Sequence, residues 1–542
     1  MGIYLNPPAD GFEDILKDGL YVDKTGLITY TNRVMGTSRK LTCFSRPRRF
    51  GKSYAAQMLV AFYSKGAEAG HLFEKLRVAN PPAGDEATES DRETADYVKY
   101  LNKCDVLFWD MTWFLSNAVR KEDVICNLQS AVVKELREAF PDCIDDHVIS
   151  MPEALLHISA KTGRKFYIII DEWDALFRET PDDTALQESY INLLRALFKG
   201  GQVSRFLCGA YVTGILPIKK YGTQSALTDF REFSMLEPKG LAEYVGFTER
   251  EVKALCEEHG LDFAEACSWY DGYKFDRIGH IFSPNSIIEA VVNHSFSNYW
   301  TQTETYESLL LYIELNFDGL KDAVLEMLGG NRCRIDTGSF QNDMTSLKNR
   351  DDVFTLLVHL GYLAYDAERR EVYIPNEEIR EEFIRAVKNG GRRELVKSIE
   401  LSDRLLEATI RMEEDVVAEL IGEAHLANTS PQFYHDEQAL RSVVIMAYLS
   451  CVDHYLRFEE ITGGRGYIDI LFFPRKTSGK PALLIELKWD KSAEKAVAQI
   501  EEKDYMSLLR QADYEGDVLL VGISYNVKKQ KHSCRIRKRN LP

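Results

Sequence analysis

Three short groups of residues in this chain have types and spacings that could do chemistry. The first, Arg46-Pro47-Arg48-Arg49-Phe50-Gly51-Lys52-Ser53, closes on Gly-Lys-Ser between an apolar run and a helical pattern. In such a loop the backbone N–H groups and the next helix face phosphates, the lysine reaches the β/γ oxygens and the serine hydroxyl ligates Mg²⁺. Arg46 stands where the usual pattern has its first glycine, so the loop is a variant of that pattern. The second group, Asp171-Glu172, ends an apolar run over 166–170. At a buried strand tip Asp171 would hold Mg²⁺ while Glu172 polarises the attacking water, which is most of what phosphoryl transfer needs. The third group is Asp469 with Glu486-x-Lys488, seventeen positions later. Two carboxylates for Mg²⁺ and a lysine to activate water or steady a developing phosphate charge make a phosphodiester-cleaving set.

Particular elements must position these groups. Leu41-Thr42-Cys43-Phe44 reads as a buried strand entering the loop, and 54–63 as the helix leaving it. The 106–109 run is a second strand, followed by an amphipathic helix near 122–140, and 166–171 is a fully buried parallel strand. A further strand over 206–212 ends in Thr213, a candidate γ-phosphate sensor expected between two acid-bearing strands. Near the C-terminus, period-two alternation puts Glu486 and Lys488 on one face of their strand, and a hairpin through 476–480 brings Asp469 beside them. Charges that interrupt apolar strands are costly unless they are used.

The bulk properties narrow the function classes. At 542 residues the chain should hold about three domains of ~100–200 residues each. With 45% apolar and 28% charged residues it reads as globular, with no bilayer-spanning run and no secretory start, hence a cytoplasmic expectation. Ten cysteines without a C-x-x-C pair argue against zinc ribbons and disulfide frameworks. A net charge of −17 means that any polyanion contact must be local. One basic place is the Arg46–Arg49 loop; the other is 528–539, where seven of twelve residues are Lys or Arg. That tail reads either as a solvated, partly disordered end or as a nucleic-acid contact. The stretch 80–94, rich in Pro, Gly, Asp and Glu, is expected as an exposed excursion. Thr248 with Glu251 should cap a helix. The aromatic cluster 269–275 reads as a core or interdomain plug before a base-stacking platform. A helix, hairpin and helix over 352–387 has a winged-helix-like order, but its acids (Asp351, Asp352, Glu377, Glu378, Glu381, Glu382) favour packing over DNA binding.

Taken together, Tyr21-Val22-Asp23-Lys24-Thr25, the Arg46–Ser53 loop, Ile170-Asp171-Glu172-Trp173-Asp174, Val212-Thr213-Gly214-Ile215-Leu216 and Trp269-Tyr270-Asp271-Gly272-Tyr273 resemble the bacterial AAA-ATPase-like family, whose members often carry a C-terminal PD-(D/E)XK nuclease-like domain. The resemblance covers essentially the whole chain and implies that Arg46 is the family's own form of the loop. It also implies an α/β fold: a P-loop NTPase (AAA-like) parallel sheet in 1–235, a helical and winged-helix-like middle in 236–395, and a restriction-endonuclease-like α/β domain in 396–542. The PD-(D/E)XK pattern extends to Glu437 on a preceding helix, to Arg465 and Gly466 before the acid strand, and to Gln499, Lys503 and Tyr505 after it.

The expectation is therefore an ATP-binding and ATP-hydrolysing protein coupled to a metal-dependent nuclease, with a defence or mobile-element setting. Nucleotide would be held by Arg46, Pro47, Arg48, Arg49, Phe50, Gly51, Lys52, Ser53, Asp171 and Thr213. The candidate catalytic residues are Lys52, Glu172, Asp469, Glu486 and Lys488, and the metal ligands Ser53, Asp171, Asp469 and Glu486. Glu437, Gln499 and Tyr505 support the nuclease fold. The cofactors are ATP and Mg²⁺, with Mn²⁺ admitted at the nuclease site. The partner is nucleic acid, DNA ahead of RNA, with no membrane, and a homo-oligomer is compatible. The competing expectation is an ATP-switched sensor or scaffold whose nuclease-like domain binds without cutting.

Overall fold

The computed structural model describes residues 2–80, 96–218, 227, 229–275, 278–300, 309, 312, 315, 317, 319–340, 347–389, 393–428, 437–448, 451, 454–463, 466–475, 478–512 and 514–541. The chain divides into two compact units, residues 1–297 with 334–375 and residues 298–333 with 376–542. The expected excursion beyond residue 80, and Arg465, lie outside the described residues.

In the first unit, β1 (Leu41–Ser45) leads through the loop into α1 (Lys52–Tyr63), and β2 (Asp105–Asp110), β3 (Phe166–Asp171), β4 (Leu207–Gly214) and β5 (Arg231–Phe233) complete a parallel sheet. Its order is β2-β3-β4-β1-β5. β1 and β3 are buried along their whole length. That is why they read as unbroken apolar runs: a parallel sheet is covered on both faces. Ile168 and Ile170 point into one cluster with α2 (Val124–Ala139), α3 (Met151–Thr162) and α4 (Thr184–Phe198). Tyr167 points the other way and stacks on Tyr63 of α1 at 4.7 Å, and Phe44 stacks on Phe233 at 5.0 Å. Each such buried side chain contributes about 1.5–3 kcal/mol, so the strand tips rest on a well-packed frame. The expected place of the Thr213 strand needs correction: β4 lies between the loop-bearing β1 and the acid-bearing β3.

The cap on helix Glu249–His259 forms as expected, with the Thr248 and Glu251 side chains reciprocally bonded to backbone. Trp269, Tyr270 and Tyr273 are buried, and the Tyr273 hydroxyl donates to the Gly361 carbonyl, so this cluster packs the interior. Helix Arg350–Leu360 and the hairpin Ala364–Asp366 with Glu371–Tyr373 lie in the first unit, and helix Glu377–Asn389 in the second. The acids here do pack. Asp352 accepts from the Lys348 N–H, and Glu378 from the N–H groups of Tyr299 and Trp300.

In the second unit, α5 (Glu414–Asn428) and α6 (Glu437–Ala447) precede a five-stranded mixed sheet of β6 (Tyr455–Gly463), β7 (Gly466–Pro474), β8 (Ala482–Trp489), β9 (Gly516–Asn526) and β10 (Lys531–Leu541), in sequential order. β8 and β9 are parallel, joined by a crossover through α7 (Ala493–Glu502); the other neighbours are antiparallel. The alternation splits cleanly on β8. Leu483, Ile485 and Leu487 pack against α5 and α6, while Ala482 and Leu484 pack against α7. The basic tail is ordered, which corrects one of its two readings: β10 pairs with β9 over its full length, from Asn526↔Lys531 to Gly516↔Leu541. Among the described residues no helix is long and apolar enough to cross a membrane.

Candidate functional site

Two sites emerge, one in each unit. In the first, Gly51 sits at the N-terminus of α1 with φ +87°, a left-handed conformation that glycine adopts without strain. It turns the chain so that the first helical N–H groups, which have no intrahelical acceptors, face outward together with the positive end of the helix. Arg48, Arg49, Gly51, Lys52, Ser53 and Glu172 line a cavity of about 530 Å³. Leu20, Tyr21, Val22, Phe247 and Ile288 line it too. The cavity therefore offers both charged and apolar lining.

The Lys52 ammonium donates to the Pro47 carbonyl at 2.9 Å and lies 3.6 Å from Glu172. Glu172 is also ion-paired with Arg178 and has φ +50°, strained for a residue with a side chain. Burial alone would raise the Glu172 carboxyl, but Lys52, Arg178 and Arg48 outweigh it and hold the group below its ordinary value. Asp171 differs: burial, opposed by a hydrogen bond from the Ser53 hydroxyl, pushes it up to about 7. Ser53 and Asp171 thus face each other where a serine–carboxylate cation site belongs, and a buried acid raised this far gains most from a cation.

The expected loop residues do not all face the cavity. Arg46 is fully buried, its guanidinium donating to the carbonyls of Ser45 and Phe233 and lying 5.4 Å from the centre of the Phe275 ring. This corrects its assignment as a phosphate-facing side chain; Arg46 anchors the loop from behind. Phe50 is buried edge-on to Tyr273 yet does line the cavity, whereas Thr213 is fully buried on β4 and does not.

Three residues at this site were missed. Asp110 ends β2 in register with Asp171, and its carboxyl is raised by burial and by the charge of Glu172. The strand-tip signal that found Asp171 applies equally to Asp110. Asp174 is fully buried and accepts from the N–H groups of Ile215 and Leu216, so it ties the exit of β3 to that of β4. Arg178, one helical turn after Asp174, carried no signal.

The second site lies where β7, β8, α6 and α7 meet. Asp469 accepts from the Leu487 N–H at 2.7 Å and from Arg441 at 3.1 Å. Glu486 accepts from Lys488 at 3.0 Å and from the Gln499 amide, and Lys488 lies 3.8 Å from Glu437. The Gln499 amide also reaches the Tyr505 hydroxyl, which donates to the Tyr467 carbonyl. All six of the sequence-predicted residues therefore come together, and Arg441 on α6 is an addition. Burial and the neighbouring Asp469 raise Glu486 to about 7, against the pull of Lys488 and Lys503. Burial would lower Lys488, but Glu486, Glu437 and Asp469 raise it. One oxygen of Glu486, Oε2, is buried and accepts no hydrogen bond among the described residues. A buried acceptor without a donor is costly, and a hard cation would satisfy it. The described residues include no ready cage of three His, Cys, Asp or Glu side chains. Mg²⁺ does not require one, because it keeps several waters.

With both geometries in view, the comparisons divide the same way. Residues 9–223 match the family described as predicted AAA-ATPase. Residues 435–534 match the PD-(D/E)XK nuclease superfamily. The chain joins an AAA-ATPase-like domain to a PD-(D/E)XK nuclease-like domain. No curated protein matches it. The first domain contains the loop, Asp171, Glu172 and Thr213, and the second contains Glu437, Asp469, Glu486, Lys488, Gln499 and Tyr505.

Proposed function

We propose that the chain binds and hydrolyses ATP at the β1–α1 loop and cleaves nucleic-acid phosphodiesters at Asp469, Glu486 and Lys488, DNA ahead of RNA. The observation that carries the nuclease half is the meeting of two carboxylates and a lysine on adjacent strands, with Glu486 Oε2 left without a donor. Asp469 and Glu486 would hold Mg²⁺ or Mn²⁺, which supplies charge neutralisation at the phosphate and a more acidic water. Lys488, held on Glu486, is placed to steady the developing charge. Gln499 and Tyr505 keep Glu486 oriented.

In the ATPase half, Gly51, Lys52 and Ser53 cradle the phosphates, Ser53 and Asp171 are the Mg²⁺ ligands, and Glu172 is the general base. Its depressed pKa keeps it ionised, and it is paired with Lys52 and Arg178. A γ-phosphate drawing Lys52 away would leave Glu172 held by Arg178 alone. ATP state would regulate cutting, in defence or mobile-element biology.

The second reading, binding without cutting, draws on Asp469 and Glu486 already carrying Arg441 and Lys488. One assay separates the two: single- and double-stranded DNA and RNA with the purified chain, with Mg²⁺ or Mn²⁺, with and without ATP. The nuclease reading expects metal-dependent cleavage by the wild type, and loss of cleavage with retained binding in Glu486→Ala. Absence of cleavage from the wild type under every condition overturns it in favour of binding alone.

A further inference from the structure

The seven cations at the end of the chain fall into two groups. Arg535 is paired with Glu414 at 2.8 Å, Arg537 and Arg539 with Glu501, and Lys538 with Asp517. Lys528, Lys529 and Lys531 are exposed, and among the described residues none has a carboxylate within ion-pair distance. Lys528 and Lys529 lie in the tight β9–β10 turn, and Lys531 is the first residue of β10. The unpaired charge is therefore concentrated at one end of the hairpin.

That end is the one beside the nuclease-like site. Lys488 is in register with Ser524 on β9, and Ser524 with Ser533 on β10, their hydroxyls 2.8 Å apart. Two residues beyond Lys488, the Asp490 carboxylate accepts from the Val527 N–H at 2.9 Å, and the Asp490 N–H donates to the Tyr525 carbonyl. This pins the turn to the exit of the strand that carries Glu486 and Lys488. From β8 to β10 is two strand spacings, about 10 Å. That is the span of roughly three phosphates at ~3.4 Å of axial rise each.

We propose that Lys528, Lys529 and Lys531 form a phosphate-binding turn that holds the nucleic-acid backbone beside the scissile bond. It rests on the nuclease reading only for what lies at Glu486; the contact itself is electrostatic and sequence-independent. The occupant is a nucleic-acid backbone because on a chain of net charge −17 an unpaired basic turn attracts a polyanion locally, and the neighbouring site is built for a phosphodiester. The pinned turn also limits the ordering cost of binding, since it is tied to β8 before any ligand arrives.

The test measures binding of the full-length chain to labelled single- and double-stranded oligonucleotides in EDTA, over a salt series. Two triple variants are compared with the wild type: Lys528→Gln/Lys529→Gln/Lys531→Gln and, on the same strand, Arg537→Gln/Lys538→Gln/Arg539→Gln. Circular dichroism confirms that each is folded. Each lost phosphate contact reduces the slope of log K against log salt by about 0.9 on duplex and about 0.7 on single strands, so the turn variant should lose roughly two to three units of slope and at least tenfold in affinity. The strand variant should lose much less. Equal losses in the two variants, an unchanged turn variant, or a wild type that binds anionic vesicles but no oligonucleotide overturns the proposal. A wild type that binds through the turn yet never cleaves with metal supports the proposal and overturns the nuclease reading. A wild type that cleaves, with binding indifferent to the turn, does the reverse.

Discussion

His359 is fully buried, and neither ring nitrogen has a hydrogen-bond partner among the described residues. It stacks against Phe340 at 5.9 Å. Burial, helped by the nearby Arg46 charge, lowers its pKa from 6.5 to about 3. Between those values the unfolded chain binds a proton that the folded chain refuses, so stability rises with pH through this window and is fully present above 6.5. One such proton corresponds to about 1.4 kcal/mol per pH unit. His359→Phe should flatten the first unit's stability between pH 4 and 6.5 relative to wild type, read as urea midpoints across pH. Parallel curves would show that His359 does not set this slope. The same residue scale shows where sequence reading stops. Gly51, Lys52, Ser53, Asp171 and the Asp469, Glu486, Lys488 set were legible because their chemistry depends on residue type and strand context. Arg46 was misplaced because a buried guanidinium that donates to carbonyls through Nη1 looks, in sequence, like one aimed at phosphate. Arg178 was invisible because a salt bridge to Glu172 has no local pattern.

At the scale of elements, strands announced themselves where burial was complete or alternation clean, as in β1, β3 and β8. The tail was ambiguous because an edge strand with exposed cations on both faces and single buried residues such as Ile536 has too weak an alternation to read. Close helix–strand approaches were equally hidden. A Cβ on Gly522 of β9 would lie 2.3 Å from the Ala493 carbonyl and 2.9 Å from Val497, both on α7. Since α7 carries Gln499 to Glu486, this glycine sets how near the helix can bring that amide. Gly522→Ala should destabilise the second unit by about 1–3 kcal/mol, as overpacking does. It should also reduce cleavage under conditions where the variant remains folded. Thermal unfolding and cleavage rates measured together check this, and a variant of wild-type stability and rate would mean that α7 has slack the geometry does not show.

For the whole molecule, the family matches put the two candidate chemistries in separate stretches of one chain, residues 9–223 and 435–534. A ligand that binds only the folded first unit stabilises it by about 2.7 kcal/mol at a hundredfold excess over its dissociation constant. Mg-ATP should therefore raise that unit's unfolding midpoint, and Lys52→Ala should remove the shift, because Lys52 would be the phosphates' principal cation. Coupling makes a stronger demand: nucleotide must differ in affinity between the cutting and resting states, since a ligand that binds both equally shifts nothing. Cleavage by the wild type should then change with ATP, and Lys52→Ala should fix the rate at its nucleotide-free value. If ATP stabilises the first unit while cleavage ignores both ATP and Lys52→Ala, the chain holds two independent enzymes. In that case the Lys52–Glu172–Arg178 contacts govern ATP turnover alone.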